Sequence, residues 1–138
     1  MLCLATCEAH QPWVAPVFYA VWQDSLIFLS APHTRHCRNL QANPLASGSI
    51  QQDCADWQDI KGVQLEGRVE QIDSSHKQSV IDCYSAKFPV IGPDAPSEIA
   101  KALDKISWFR LYPELMYFID NSKGFGHRDK VDLTPSDD

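Results

Sequence analysis

A short basic cluster stands in the first third of an otherwise acidic chain. The segment HTRHCRNL contains His33, Arg35, His36 and Arg38, whereas the 138 residues together carry a formal net charge of -6. Arg35 and Arg38 are the only Lys or Arg residues before Lys61. Guanidinium groups bind anions well, because they donate paired hydrogen bonds to phosphate or carboxylate oxygens. The cluster is therefore a candidate anion site.

The basic cluster is predicted to open a short helix. Thr34 is a suitable N-cap, and the NP dipeptide that follows Ala42 must stop the helix, which gives a helix from Arg35 to about Ala42. In its first turn the helix dipole disfavours Arg35 and His36 by about 0.3–1 kcal/mol each. A bound phosphate reverses that sign, because it accepts hydrogen bonds from the free backbone N–H groups, the Thr34 hydroxyl and a guanidinium group.

The same residues also have a plainer explanation, in which Arg35 and Arg38 pair with surface carboxylates. The chain contains 18 Asp and Glu residues. Exposed ion pairs are screened by salt and contribute little to stability, so they would also make the basic cluster tolerable. Charge placement alone favours neither explanation.

A second group of cations surrounds a glycine-rich loop near the C-terminal end. Lys123, His127, Arg128 and Lys130 flank a GFG tripeptide with Phe125 at its centre. Glycines let a backbone approach a ligand closely, and an aromatic ring between them can cover a flat ligand. An ordinary tight turn before an edge strand explains the same tripeptide.

Composition and motifs argue against several functional classes. The net negative charge is unlike the basic surface of proteins that bind nucleic-acid duplexes. No apolar run reaches the roughly 18 residues that a membrane helix needs. No two of the five cysteines form a CxxC motif, and the sequence has no HxH, HExxH, GxSxG or P-loop motif. We therefore expect a cytoplasmic protein with free thiols, no metal site, and neither nucleic acid nor membrane as a partner.

The order of predicted elements favours a mainly β fold. Strands are predicted at residues 2–7, 13–22, 26–30, 45–52, 63–72, 107–120 with an interruption near 113, and 131–133. Helices are predicted at residues 35 to about 42, from about 75 to 88, and 97–103. Hairpin connections without regular β-α alternation indicate an antiparallel β-barrel with flanking helices, and a doubly wound parallel sheet is the other candidate. Residues 1–133 are expected to form one domain, followed by a flexible C-terminal tail at 134–138.

Two segments of the chain are similar to a known family. The run LATCEAHQPWVAPVFYAVWQDSLIFLSAPHTRHCRNLQANPLASGSI, followed by VQLEGRVEQI, resembles the pyridoxamine 5'-phosphate oxidase-like split-barrel flavoproteins. Within that superfamily, HTRHCRNLQANP together with the late GFG resembles the YhbP-like branch. The similarity extends over nearly the whole chain.

The resemblance implies a six-stranded antiparallel split β-barrel of the FMN-binding type. It implies a homodimer that holds FMN at the subunit interface. The phosphate-binding segment of the family falls on Ser30, Thr34, Arg35 and His36. Gln64 is the implied contact from the facing subunit, and the C-terminal loop from Phe125 to Lys130, which includes Arg128, is the implied remaining contact.

His36 stands where relatives usually carry Lys, so part of the positive charge is expected to titrate near neutral pH. FMN would then be held more weakly as the pH rises through about 6 to 8.

Together with the basic cluster, the resemblance implies a flavin-dependent oxidoreductase that acts on an unidentified small-molecule substrate. No side chain stands out as a general acid or base. The main alternative is a non-catalytic module that binds flavin or haem, and a deazaflavin is a further possible ligand. An interaction domain whose ligand site has decayed is the third interpretation.

Overall fold

Alternation of buried and exposed residues along consecutive strands produces one antiparallel sheet. The computed structural model describes residues 1–134, so the tail predicted over residues 134–138 lies, apart from Thr134, outside the described residues. The strands are β1 (Leu2–Glu8), β2 (Gln11–Val17), β3 (Ala20–Trp22), β4 (Ser25–Ser30), β5 (Leu45–Gln51), β6 (Lys61–Gln71), β7 (Ser107–Asp120) and β8 (Arg128–Lys130). The helices are α1 (Arg35–Ala42), α2 (Lys77–Lys87) and α3 (Ser97–Leu103).

The strand order of the sheet is β2-β1-β5-β6-β7-β4-β3, with β8 paired to β7. Six strands have six residues or more, whereas β3 and β8 have three each. In the part of the chain that the structure describes, β2 and β3 are the two unpaired ends of this path, so the sheet is not closed. The prediction of a mainly β, antiparallel split barrel is confirmed, and the doubly wound parallel sheet is excluded.

Paired residues on neighbouring strands define the two faces of the sheet, because directly opposite side chains point the same way. One row across four strands faces the main core and consists of Leu4, Gly48, Leu65 and Met116. The adjacent row faces outward and consists of Cys3, Ser49, Gln64 and Tyr117. We call these faces the inner face and the outer face.

The helices cover different faces of the sheet. In α1, Cys37 and Leu40 belong to the main core, and the side-chain amide of Asn39 donates a hydrogen bond to the Thr6 hydroxyl at 3.0 Å, which holds α1 on the inner face. In α2, Tyr84 packs with Trp108 in a second core cluster on the opposite side of β4 and β7. Among residues 1–134, neither cluster covers the outer face of β1 and β5. No helix in that range is long and apolar enough to cross a membrane.

The prediction of a single strand at residues 13–22 is wrong, because the structure has two strands there, β2 and β3. Side chains of α2 bind backbone carbonyls at the interruption: the Tyr84 hydroxyl donates to the carbonyl of Phe18 at 3.3 Å, and the Lys87 ammonium donates to that of Tyr19 at 2.7 Å. These contacts satisfy groups that a continuous strand would pair within the sheet. The first four residues of β2 are also exposed.

The predicted interruption near Pro113 does not break β7, which runs through 14 residues. Gly67 pairs with Pro113 and Glu66 pairs with Leu115, so Glu114 is the extra residue of a β-bulge. The bulge absorbs the missing proline N–H without ending the strand.

The last strand lies earlier than predicted. It is β8, which covers the segment from Arg128 to Lys130 and pairs with β7 from Tyr117 to Ile119, and not residues 131–133.

Candidate functional site

Thr34 begins α1 but does not cap it with its side chain. Its backbone is extended, with φ -66° and ψ 152°, as expected for an N-cap residue. Its hydroxyl instead donates to the carbonyl of Ala31 at 2.9 Å. No acidic residue stands in the first turn of the helix, and within residues 1–134 the backbone N–H groups at its start have no side-chain acceptor.

His36 is buried, whereas the sequence suggested a cation at the anion site. Its Nε2 atom lies 2.7 Å from the Ser30 hydroxyl and 3.3 Å from the Thr34 hydroxyl, and the residue is 9% exposed. Burial lowers the pKa of His36 below its ordinary value. The imidazole is therefore neutral at neutral pH, and its expected titration near pH 7 is displaced to lower pH.

Arg35 and Arg38 remain exposed on the surface of α1. The Arg35 guanidinium carbon lies 4.4 Å from the centre of the Trp13 ring, and Arg38 donates to the backbone carbonyl of His33 at 3.0 Å. The ion pairs found in residues 1–134 involve other side chains, so neither arginine is paired with a carboxylate there. The plainer explanation of the basic cluster therefore finds no support in the described part of the chain.

Cys37 is a core residue and not a nucleophile. It is 1% exposed, and burial raises the pKa of its thiol, although hydrogen bonds with Thr34 and Ser30 act in the opposite direction. A raised pKa keeps the sulfur in its unreactive thiol form at neutral pH.

Gln64 and Arg128 come together on the outer face through a residue that the sequence did not single out. Gln64 pairs with Tyr117 across β6 and β7, and Arg128 pairs with Ile119 across β7 and β8. The Arg128 guanidinium carbon lies 4.7 Å from the centre of the Tyr117 ring. Only the register of three strands reveals this arrangement, because nothing in the local sequence around Tyr117 marks it.

Phe125 projects from the turn between β7 and β8 and is 85% exposed. Its neighbours Gly124 and Gly126 have φ values of 146° and 71°, which other residues rarely adopt. The Phe125 ring contacts the exposed ring of Trp57, and their centres are 5.7 Å apart. The loop is therefore a tight turn that leaves the Phe125 ring exposed, with a glycine on each side of it.

The predicted site residues form two groups on opposite faces of the sheet. The group at the start of α1 lies on the inner side, because Arg35 covers Trp13, and Trp13 pairs with the buried Thr6. The group that contains Gln64 and Arg128 lies on the outer face. One chain therefore does not bring the two groups into contact.

The outer face of a single chain carries two adjoining recesses. One of about 150 Å³ is lined by Gln64, Tyr117 and Glu66, and its neighbour of about 380 Å³ shares Ser47 and Glu66 with it. Pockets that enclose cofactor-sized ligands usually measure about 300–1,000 Å³. The recess beside Gln64 needs a further wall to enclose such a ligand. In residues 1–134, no group of three or more His, Cys, Asp or Glu side chains is arranged to bind a metal ion.

The sequence is similar to curated bacterial proteins. A UPF0306 protein of Photorhabdus laumondii is 30% identical over 92 residues, which are 65% of this chain and 64% of that protein. This chain thus spans less than two thirds of that relative. The UPF0306 protein YhbP of Escherichia coli O157:H7 is 25% identical over 118 residues, which cover 84% of this chain and 74% of that protein.

Solved structures have the same fold. HutZ, the haem storage protein of Vibrio cholerae, superposes with a TM-score of 0.69 at 26% identity over 82% of this chain and 80% of its own. A haem-binding protein of Mycobacterium smegmatis gives 0.73 at 20% identity, covering 96% of this chain but 52% of its own. An FAD-binding protein of Mesorhizobium loti gives 0.66 at 22% identity over 83% of this chain and 81% of its own.

The family model described as pyridoxamine 5'-phosphate oxidase matches residues 1–120. The chain therefore belongs to the pyridoxamine 5'-phosphate oxidase-like split-barrel family, in the branch that contains the UPF0306 protein YhbP.

Proposed function

We propose that two copies of this chain bind FMN between them and act as a flavin-dependent oxidoreductase on a small-molecule substrate. In this proposal, the segment of Ser30, Thr34, Arg35 and His36 binds the phosphate of FMN. Gln64, Phe125 and Arg128 of the other copy contact the rest of the cofactor. FMN supplies the redox chemistry when it is bound, and the protein supplies the binding groups and a fitted pocket.

The observation that carries this proposal is the unpaired charge at the start of α1. Arg35 has no carboxylate partner within residues 1–134, and the first turn of α1 contains no acidic residue. A phosphate there gains the guanidinium group, the free N–H groups and the helix dipole together. His36 contributes through its buried contacts with Ser30 and Thr34, which hold the segment in shape, and not through a positive charge.

The position of the two groups of residues supports a homodimer with the cofactor at its interface. They lie on opposite faces of one chain, so a ligand that contacts both must bind between two copies. The outer face also exposes apolar side chains, with Val14 at 59% and Leu45 at 51%, near the small residues Ala5 and Ser47. Burial of such a surface against a second copy stabilises a dimer.

The outer-face residues have hydrogen-bonding and aromatic groups that match those of a flavin ring. Gln64 offers an amide that can both donate and accept hydrogen bonds, as the flavin ring does, and Tyr117 offers an aromatic surface beside the Arg128 cation. The single-chain recess beside Gln64 is too small for the ring, and a second copy would supply the missing wall.

Haem binding without turnover is the second candidate function. The specific support for it is that HutZ is described as a haem storage protein, and that it covers most of both chains at 26% identity. A carboxylate of haem would use the same cationic segment as a phosphate. The five free cysteines of this chain are consistent with a reducing compartment, and we propose the cytoplasm as its location.

The visible spectrum of the freshly purified protein, followed by titration with FMN and with haem, tests the proposed function. We expect flavin absorbance or saturable FMN binding, and reduction of the bound flavin by NADH or NADPH. FMN that binds but is never reduced would favour a binding module. A Soret band without FMN binding would favour the haem alternative, and a protein that binds neither ligand would favour a decayed site.

A further inference from the structure

We propose that Trp57 and Phe125 together form an aromatic platform for the flat ring of the ligand, and that Asn121 positions this platform. This inference rests on the proposed function, because it concerns the ring end of the ligand whose phosphate binds Arg35. Trp57 and Asn121 received no role from the sequence.

The platform consists of two exposed rings in contact. Phe125 is 85% exposed and Trp57 is 47% exposed, and their ring centres are 5.7 Å apart at an interplanar angle of 64°. Burial of a large apolar side chain lowers the free energy, and aromatic rings pair favourably with other flat rings. Because the two rings are inclined to each other, a flat conjugated ligand can stack on one ring and meet the edge of the other.

Asn121 ties the two loops that carry these rings to each other. It is only 5% exposed, and its side-chain amide donates to the carbonyl of Trp57 at 2.9 Å. Its side-chain oxygen accepts a hydrogen bond from the N–H of Gly126 at 3.2 Å, and its own backbone N–H donates to the carbonyl of Ile60 at 3.0 Å. One buried residue thus fixes the loop before β6 against the turn before β8.

The turn around Phe125 is held by hydrogen bonds, unlike a flexible surface loop. The N–H of His127 donates to the carbonyl of Gly124 at 3.0 Å, so the turn around Phe125 is hydrogen-bonded internally as well as to Asn121. A ring held in a fixed place loses little conformational entropy when a ligand binds. The structure fixes the backbone around Phe125 and leaves the ring open, which is the property that a ligand contact requires.

The platform adjoins the outer-face residues of the proposed site. Lys61 pairs with Asp120, and Gly62 pairs with Ile119, which in turn pairs with Arg128. Gln64 lies on the same strand, two residues after Gly62. The platform therefore borders the outer face at the edge where Arg128 lies.

The charges around the platform are mixed. Lys123 lies 3.4 Å from Asp129, and His127 lies 3.1 Å from the same carboxylate, so both side chains already have a partner. Arg128 makes its described contact with the Tyr117 ring and no carboxylate pair within residues 1–134. The ligand that this edge fits is a flat conjugated ring with polar or anionic substituents that reach Arg128.

Riboflavin, which has the ring of FMN without its phosphate, separates the two ends of the site. We expect Phe125→Ala and Trp57→Ala to weaken the binding of both FMN and riboflavin by about tenfold, as for other aromatic stacking contacts. Arg35→Ala should weaken FMN binding and leave riboflavin binding unchanged. Phe18→Ala removes another exposed ring, which packs on Phe88 beside α2, and serves as the matched control.

The role of Asn121 is tested by a signal that does not depend on the ligand. The near-UV circular dichroism contributed by Trp57 is identified by difference from a Trp57→Phe variant. In Asn121→Ala this signal should disappear, while the far-UV spectrum is retained and riboflavin binding falls as in Phe125→Ala. An unchanged Trp57 signal would overturn the positioning role. Asn121 is buried, so Asn121→Ala can fail to fold. Phe125→Ala, at an exposed position, then tests the platform.

The outcomes separate the inference from the proposed function. FMN and riboflavin binding that is undiminished in Phe125→Ala and Trp57→Ala overturns the platform and leaves the proposed function standing. Riboflavin binding that depends on Phe125, with no preference for FMN over riboflavin, supports the platform and contradicts the phosphate site. A wild-type chain that binds neither compound overturns both.

Discussion

The Arg35 guanidinium carbon lies 4.4 Å above the Trp13 ring, and no carboxylate within residues 1–134 pairs with this arginine. A cation over an aromatic face is held in place without losing its charge, and it still has N–H groups to offer. The start of α1 therefore presents an oriented positive group beside free backbone N–H groups. This relationship makes an anion the natural partner of the segment.

The buried His36 predicts a loss of stability on the acid side. Its pKa is lowered in the folded chain, whereas the unfolded chain takes up the proton near pH 6.5. The unfolded state then binds more protons, so the free energy of unfolding should fall as the pH drops below about 6.5. Urea unfolding at pH 7.5, 6 and 5 measures this fall, and it should be smaller in His36→Gln than in the exposed-site control His33→Gln. Equal pH dependence in the two variants would contradict a buried neutral imidazole.

The same lowered pKa changes the expected pH dependence of cofactor binding. The sequence suggested that FMN is held more weakly between about pH 6 and 8, as a charged His36 loses its proton. A neutral imidazole has no charge left to lose in the upper part of this range. Affinity for FMN should therefore be flat between pH 7 and 8, as measured by flavin fluorescence. A decline over that interval that disappears in His36→Gln would restore the charged role.

Tyr84 predicts a loss of stability on the alkaline side. Burial raises the pKa of Tyr84 to about 12, whereas the unfolded chain loses this proton near pH 10. The folded state then holds a proton that the unfolded state has released, so the free energy of unfolding should fall by about 2–3 kcal/mol between pH 10 and 12. Tyr84→Phe should flatten this decline, and Tyr112→Phe, at an exposed site, should not. An identical decline in wild type and Tyr84→Phe would refute the assignment.

Gly67 is required by the bulge in β7. A Cβ atom at this position would overlap the carbonyl oxygen of Tyr112 and crowd Pro113. Gly67→Ala should destabilise the chain by about 1–3 kcal/mol, as overpacking of a rigid backbone does. Gly92→Ala is the control, because its nearest neighbour would be the Pro89 carbonyl oxygen at 3.2 Å and its φ of -73° suits any residue. Chemical denaturation measures both, and similar small losses in the two variants would mean that the bulge can move.

The parts of the fold that the sequence predicted well are those governed by local chemistry. The limits of α1 follow from Thr34 and the NP dipeptide. The parts that it missed depend on tertiary contacts. The interruption after β2 lies at Phe18 and Tyr19, two residues beyond Pro16, and Tyr84 and Lys87 of a distant helix satisfy its carbonyls.

The candidate site divides in the same way. Dipole and charge arguments identified the start of α1, but they did not reveal that His36 is buried against Ser30, because its partner is six residues away in another element. Tyr117 was missed, since its place beside Gln64 and Arg128 depends on the register of three strands. Trp57 was missed for a similar reason, because Asn121 joins two loops that are distant in sequence.

A cofactor site shared between copies predicts complementation between two defective variants. Arg35→Ala and Arg128→Ala homodimers should each have a defect in every site. After subunit exchange in an equal mixture, about half of the dimers are mixed, and each mixed dimer has one intact site, so about a quarter of the sites should regain wild-type FMN affinity. Titration of the mixture against the two separate variants measures this fraction. No recovery despite confirmed subunit exchange would mean that Arg35 and Arg128 do not serve one site from two chains.

The most direct test of the central claim is an FMN titration of three proteins, namely wild type, Arg35→Ala and Arg38→Ala. Arg38 is the matched control, since it lies on the same helix and donates to the backbone carbonyl of His33. If a phosphate neutralises the charge at the start of α1, Arg35→Ala should lose about 1.5–3 kcal/mol of binding free energy, as for a charge-assisted hydrogen bond. Arg38→Ala should lose less than about 0.5 kcal/mol. Equal FMN affinity in wild type and Arg35→Ala would contradict the claim.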